Sequence, residues 1–319
     1  MEHEVIEIGV EKLVTGGAGM GRREGEVVFV HGALPGERVR ARIVRRAKGF
    51  AEAALLEILE RSPDREEPPE ASPGALAGAD LCYMKLVAQR AAKREIVRDC
   101  FARIGRIDLD GRLDSAEPAG PAWGYRNKIR LHLGAGGRYG MHRRGTREVV
   151  PLDRCLLMPD LFNEEVLPFL LDLPRAEEAL VRLDGRGGFL IDLRGAEGSP
   201  ASFASRVVAR FGEIPVPGAC TGVLVDGRAV WGESRLEIPA AGRLFRVLAH
   251  SFFQVNLAET ENLVARLASW IEGEGAASRT RAPLLLDLYG GVGLFAAALG
   301  DRFERVVTVE SDRGAARDA

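Results

Sequence analysis

The stretch Leu284-Leu285-Leu286-Asp287-Leu288-Tyr289-Gly290-Gly291-Val292-Gly293-Leu294-Phe295-Ala296 leaves little choice of local fold. A wholly apolar run that ends in an acid, passes a glycine-rich turn and resumes at helical spacing opens a doubly wound α/β sheet as strand, loop and helix. A second apolar run, Val306-Val307-Thr308-Val309, ends at Glu310, seventeen residues past Gly293. Glycines let the backbone approach a ligand closely, and a carboxylate closing the second strand can take ribose hydroxyls. The pattern therefore predicts a nucleoside-bearing cofactor. It does not choose which one: Gly291-Val292-Gly293-Leu294-Phe295-Ala296 also fits the dinucleotide fingerprint G-x-G-x-x-A, which keeps a nicotinamide-dependent oxidoreductase in play.

A chain of 319 residues has room for two or three domains, and 46% hydrophobic with 28% charged residues is a globular mixture. No run reaches the roughly 18 apolar residues that a membrane helix needs. The start, Met1-Glu2-His3-Glu4, is acidic where a secretory signal would be basic, so a cytoplasmic location is expected. Cys82, Cys100, Cys155 and Cys220 have no regular spacing, which predicts reduced thiols rather than a disulfide framework. The net charge of -2 hides two basic segments, Arg38 to Lys48 with six basic residues and no acid, and Arg126 to Arg154. Local concentration of cations in a nearly neutral chain points to a polyanion gripped at particular places.

From Val5 to Glu60 the pattern has period two and is broken by turn residues, as in a small closed β-barrel. Arg38, Arg40 and Arg42 alternate with Val39, Ala41 and Ile43, so three guanidinium groups share one face of a strand, where a phosphate backbone or plain solvent would suit them. Gly17-Ala18-Gly19-Met20-Gly21-Arg22, Val28-Phe29-Val30 and Leu34-Pro35-Gly36-Glu37 together resemble the TRAM domain, an oligonucleotide-binding-type barrel attached to RNA-modifying enzymes. The resemblance implies that the arginine face meets RNA.

Ser62 to Gly78, rich in Pro, Glu, Ala and Gly, reads as a connection. A helix follows, with Leu86, Val87, Ala91, Ile96, Val97, Cys100, Phe101 and Ile104 at helical spacing and Gly105 as its stop. In Tyr125-Arg126-Asn127-Lys128-Ile129-Arg130-Leu131-His132-Leu133 the alternation predicts a strand with one basic face. Tyr125 beside Arg126 and Lys128 combines stacking surface with charge, as single-stranded RNA recognition does, although a lone tyrosine is more often core. Tyr125-Arg126-Asn127-Lys128 and the following Gly140 to Cys155 segment resemble parts of the same RNA-modifying family, which implies RNA contact at Tyr125, Arg126 and Lys128. Many members hold a four-iron cluster on three close cysteines and a later fourth. Cys155 stands at the fourth position, but the earlier segment supplies only Cys82, so no iron-sulfur cluster is expected. Arg182 to Val247 predicts further antiparallel sheet, with Asp226-Gly227 as a hairpin turn.

Two neighbours of the glycine turn choose between cofactors. Asp287, in Asp-Leu-Tyr-Gly-Gly-Val-Gly, looks like motif I of S-adenosylmethionine methyltransferases, and Ser251-Phe252-Phe253-Gln254-Val255-Asn256 resembles a signature of the RNA uracil-C5 methyltransferases. That resemblance implies S-adenosyl-L-methionine bound by Gln254, Asp287, Tyr289, Gly291, Gly293, Leu294 and Glu310, and ribosomal or transfer RNA as substrate. Gly290 departs from it, where a cysteine is usual. Asn256 also reads as a helix cap, with Glu259 three residues on.

Methylating carbon 5 of uracil requires, by the same resemblance, a cysteine thiolate that adds to carbon 6 and a general base. Both belong on later strands of the methyltransferase domain, and the chain ends at Ala319, nine residues after Glu310, so the nucleophile is expected to lie beyond Ala319. The expected architecture is therefore a multidomain α/β and β chain: an OB-like TRAM barrel over 1–61, a central α+β domain over 62–249, and an incomplete Rossmann-like methyltransferase domain over 250–319. No residue of the chain is nominated as catalytic, no metal is expected, and a noncatalytic RNA-binding module is the alternative.

Overall fold

A computed structural model describes residues 4–70, 72–113, 118, 120–275 and 282–319. Residues 1–3, part of the acidic start, lie outside the described set. The chain divides into two compact units, residues 1–71 with 78–116 and residues 72–77 with 117–319.

The first unit is built on six strands, β1 (Val5–Gly9), β2 (Lys12–Leu13), β3 (Gly19–Arg23), β4 (Glu26–His31), β5 (Arg38–Ala47) and β6 (Phe50–Glu60). They form one sheet in the order β1-β5-β6-β4-β3-β2. The alternation in β5 has the expected consequence: Val39, Ala41 and Ile43 are buried with Ile6, Ile8, Val28 and Val30, while the arginines between them are exposed. Gly21 is required where β1 approaches β3, because a Cβ there would lie 2.1 Å from the Gly9 carbonyl oxygen. Helix α1 (Leu86–Cys100) continues as a wider turn to Gly105. Its inner stripe is buried Ala88 with half-buried Ala92 and Ile96, spaced four apart against Leu13, Leu34 and Met84. Val87 and Ile104, which share the helical apolar spacing, are 76% and 84% exposed.

One buried ion pair fastens the Leu34-Pro35-Gly36-Glu37 turn. Glu37 accepts the Leu34 amide at 2.8 Å and two bonds from the Arg65 guanidinium at 2.6 and 2.9 Å, and Arg65 also donates to the Gly32 carbonyl. Burial pushes the Glu37 carboxyl up, yet Arg65 and the Leu34 amide outweigh it and leave it below the ordinary value.

The second unit opens with β7 (Lys128–Leu133), β8 (Tyr139–His142), β9 (Val149–Pro151) and α2 (Leu167–Asp172), followed by β10 (Glu178–Leu183), β11 (Phe189–Arg194) and α3 (Pro200–Arg210). Next come β12 (Cys220–Val225) and β13 (Arg228–Gly232), joined by Asp226 and Gly227, both at positive φ as a two-residue hairpin demands. These strands make a seven-stranded sheet ordered β13-β12-β11-β10-β7-β8-β9. A separate hairpin, β14 (Arg235–Ala240) with β15 (Arg243–Leu248), leads through residues 249–256 into α4 (Leu257–Gly275). Last are β16 (Ala282–Leu288), α5 (Leu294–Leu299), β17 (Phe303–Val309) and α6 (Ala315–Asp318), with β16 and β17 parallel. Leu236, Ile238, Phe245 and Val247 of the hairpin join Leu190 and Leu224 of the large sheet, Phe253, Val292 and Leu294 in one core. Leu284, Leu286, Leu288, Val306, Val307 and Val309 of the parallel pair are exposed. Among the described residues no helix is long and apolar enough to cross a membrane.

The Glu37–Arg65 pair generates a stability prediction. Glu37→Gln leaves a buried guanidinium short of its partner and should cost the first unit about 3 kcal/mol in denaturant unfolding at pH 7. Because the carboxyl is held below the ordinary 4.5, its stabilisation is complete above that value and is lost as pH falls through the folded-state value, so variant and wild type should converge in acid.

Candidate functional site

The glycine turn after β16 is shaped by three left-handed residues, Tyr289 (φ 60°), Gly291 (φ 57°) and Gly293 (φ 76°). Tyr289 adopts that conformation without being glycine, and its side chain is 92% exposed. Gly290 has no room for more: a Cβ would stand 2.3 Å from the Thr308 methyl carbon of β17. Asp287 is buried and its Oδ2 accepts the Ala296 amide at 3.2 Å, tying the end of β16 to the first turn of α5. Burial pushes its carboxyl up. Glu310 behaves in the opposite way. One oxygen accepts the Asp312 amide at 2.6 Å, the other accepts the Gly291 amide at 2.8 Å, and these bonds hold the carboxyl below its ordinary value. A charged carboxylate therefore sits against the turn with lone pairs left to accept hydroxyl donors. Leu294, like Val292, has its side chain buried in the core. Ala319 also lies against this turn: its Cβ is 3.2 Å from the point where a side chain on Gly293 would begin, and its amide donates to the Ala315 carbonyl at 3.0 Å.

The segment 249–256 lies beside this turn. The Phe252 carbonyl oxygen is 3.9 Å from the point where a side chain on Gly291 would begin. Phe253 is buried, Phe252 is 68% exposed, and Gln254 is half-buried. Asn256 caps α4: its Oδ1 accepts the Glu259 amide at 3.1 Å, and its carbonyl accepts the Thr260 amide at 3.0 Å.

The basic strand residues serve this segment. Asn127 donates from its backbone to the Val255 carbonyl (2.9 Å) and from Nδ2 to the Gln254 carbonyl (3.2 Å). The Lys128 ammonium points inward and donates to the carbonyls of His250 (3.0 Å) and Ser251 (3.1 Å). Desolvation, with Arg182, Arg130 and Arg194 nearby, pulls its pKa down to about 7. Arg182, fully buried on β10, donates to the carbonyls of Ala249 and Ser251, and burial lowers its pKa to about 10. Sequence alternation named Lys128 but gave no signal for Arg182, which has the spacing of any strand residue. Tyr125 and Arg126 are half-buried, and Arg126 forms an isolated bridge with Asn256.

In the first unit the three strand arginines remain on one face, among glutamates. Arg38 meets Glu60 at 2.8 Å and Glu7 at 2.9 Å, and Arg40 meets Glu57 at 2.6 Å and Glu7 at 3.5 Å. Arg42 has no ion pair among the described residues. Burial raises the thiol pKa of Cys82, Cys155 and Cys220, the last to about 12. No group of three or more possible metal ligands occurs among the described residues.

Comparison with known proteins adds the family. Residues 1–56 match the TRAM domain model. An RNA methyltransferase of Streptomyces avermitilis is 31% identical over an alignment covering 99% of this chain and 74% of the relative. A 23S rRNA (uracil(1939)-C(5))-methyltransferase of Halomonas elongata is 32% identical, covering 95% of this chain and 65% of its own length. The tRNA (uracil-54, C5)-methyltransferase of Pyrococcus abyssi, solved in complex with S-adenosyl-L-homocysteine, shares the fold, with a TM-score of 0.66 at 19% identity over 98% of this chain and 74% of that one. This mixed α/β chain, with its amino-terminal TRAM domain, belongs to the RNA uracil-C5 methyltransferase family.

Proposed function

We propose that the chain serves S-adenosylmethionine-dependent methylation of carbon 5 of a uridine in ribosomal or transfer RNA. The observation that carries this is the meeting of two motifs distant in sequence: the Phe252 carbonyl stands beside Gly291, whose amide is bonded to the Glu310 carboxylate. The donor set fits an S-adenosyl group. Glu310 is charged and offers acceptors to a ribose, the turn Tyr289 to Gly293 brings bare backbone to the ligand, and Asp287 braces the turn from below. Gln254 is assigned to the cofactor from the adjoining segment, and Leu294 through its backbone, since its side chain fills the core. When bound there, S-adenosylmethionine supplies the electrophilic methyl group.

RNA contact is assigned to Arg38, Arg40 and Arg42 on an OB-like barrel in the first unit, and to Tyr125 and Arg126 in the second. Lys128 takes part through the segment that its ammonium holds. The uracil ring needs a thiolate to add at carbon 6. Desolvation of Cys82, Cys155 and Cys220 works against thiolate formation, and Cys100 lies against Thr15 in the first unit. Residues 1–319 are accordingly assigned RNA and methyl-donor binding, with none of these four cysteines assigned as the attacking thiolate and no iron-sulfur cluster.

Two measurements test these assignments. Isothermal titration should show S-adenosylhomocysteine binding and no NADH binding, with Glu310→Ala weakening the former at least about tenfold; binding of NADH alone would overturn the methyl-donor site. Replacing Arg38, Arg40 and Arg42 together by alanine should weaken binding of single-stranded RNA and reduce the slope of log K against log salt by about 2. An unchanged slope would remove that face from the RNA contact.

A further inference from the structure

Residues 249–256 connect β15 to α4 without a strand ladder of their own, so their carbonyls need donors from elsewhere. One corner of the seven-stranded sheet supplies them. Asn127 reaches the carbonyls of residues 254 and 255, Lys128 those of 250 and 251, and Arg182 those of 249 and 251. Five carbonyls within seven residues are thus held by three consecutive or cross-strand neighbours, for Lys128 and Arg182 are directly paired in the β7–β10 register.

This corner is costly to build. Neither Lys128 nor Arg182 has an ion-pair partner among the described residues, and two further cations, Arg130 and Arg194, act on Lys128. The remaining ionisable groups here are His250, in the held segment, and buried Asp192 of β11, which pairs with Arg194 at 3.1 Å. Arg182 also leaves Nε and Nη1 without acceptors. Apolar side chains of similar volume would avoid all of this desolvation, so stability does not explain two adjacent cations. Charge-assisted bonds to carbonyls, however, fix a path more firmly than neutral ones.

We infer that Asn127, Lys128 and Arg182 are positioning residues of the methyl-donor site, setting where the Phe252 carbonyl stands beside the glycine turn and the path of the backbone that carries Gln254. The inference rests on the methyl-donor reading above. The clamp grips one side of the segment, Phe253 anchors the other in the core, and the Phe252 carbonyl, between the gripped carbonyls of Ser251 and Gln254, is the one presented to Gly291.

The test pairs amide hydrogen exchange with ligand titration on the full chain. Lys128→Met removes a charged clamp. Asn127→Ala is the milder variant, because it deletes the bond to the Gln254 carbonyl together with an Oδ1 that has no partner. Both should speed exchange across residues 249–256 by about tenfold or more, leave β10 and β11 protected, and weaken S-adenosylhomocysteine binding by about tenfold. Lys128→Arg keeps charge and donors and should stay within about threefold of wild type in both readings. Unchanged exchange in residues 249–256 overturns the clamp. Faster exchange with affinity held within about twofold overturns the positioning role. If wild type binds no S-adenosylhomocysteine, the methyl-donor reading and the positioning role fall together, and exchange alone decides whether the clamp exists.

Discussion

A polypeptide that leaves a sheet and does not enter a helix carries carbonyls that must be satisfied, and in residues 249–256 this requirement organises the second unit. The donors come from β7 and β10, the apolar anchor Phe253 comes from the segment itself, and the result places a loop against a turn some forty residues further along the chain. The hairpin β14–β15 makes this possible. Its apolar side chains join Leu190 and Leu224 to Val292 and Leu294, so the large sheet shares one core with the glycine turn and the start of α5. Packing sets the distance between the two motifs, and hydrogen bonding sets the orientation of the loop.

Two carboxylates at the turn show how environment divides labour between identical groups. Asp287 is buried, pushed toward its neutral form, and spends an oxygen on the Ala296 amide; its task is to hold β16 to α5. Glu310 is pulled the other way by the amides of Asp312 and Gly291, remains ionised, and is the one available to a ligand. The left-handed backbone at Tyr289 belongs to the same arrangement. A non-glycine residue held at φ 60° with its ring in solvent stores strain that the hydrogen bonds around the turn support, as Gly290 donates to Val309 and Gly293 donates back to Gly290.

Features with a local cause were legible in the sequence. The buried and exposed alternation of β5, the Asp226-Gly227 hairpin, the strand, turn and helix at Asp287 and the Asn256 cap all depend on period or on backbone conformation within a few residues. Features that depend on what covers a face were not. Alternation puts Lys128 with Arg130 on one side of β7, but only the segment laid over the first of them turns an expected surface cation into a half-buried donor. The same limit applies to Leu294, which the motif places near the cofactor and tertiary packing sends into the core. Glu37 belongs here too, because its partner Arg65 lies twenty-eight residues away in a stretch that reads as a mere connection.

The arginine face of β5 needs a different argument, because register rather than burial decides it. Pairing of β1 and β6 on either side sets Glu7 against Arg40 and Glu57 and Glu60 against Arg40 and Arg38, so every positive charge but that of Arg42 begins with an acidic neighbour. Exposed ion pairs contribute little stability, since water solvates the separated ions nearly as well. Exchanging such a carboxylate for a phosphate oxygen therefore costs little, and the guanidinium keeps its fork of donors either way. What the glutamates change is long-range attraction: a face close to neutral does not draw RNA from a distance, but it can still grip a strand brought to it. On the RNA contact proposed for this face, short-range hydrogen bonding would supply the affinity.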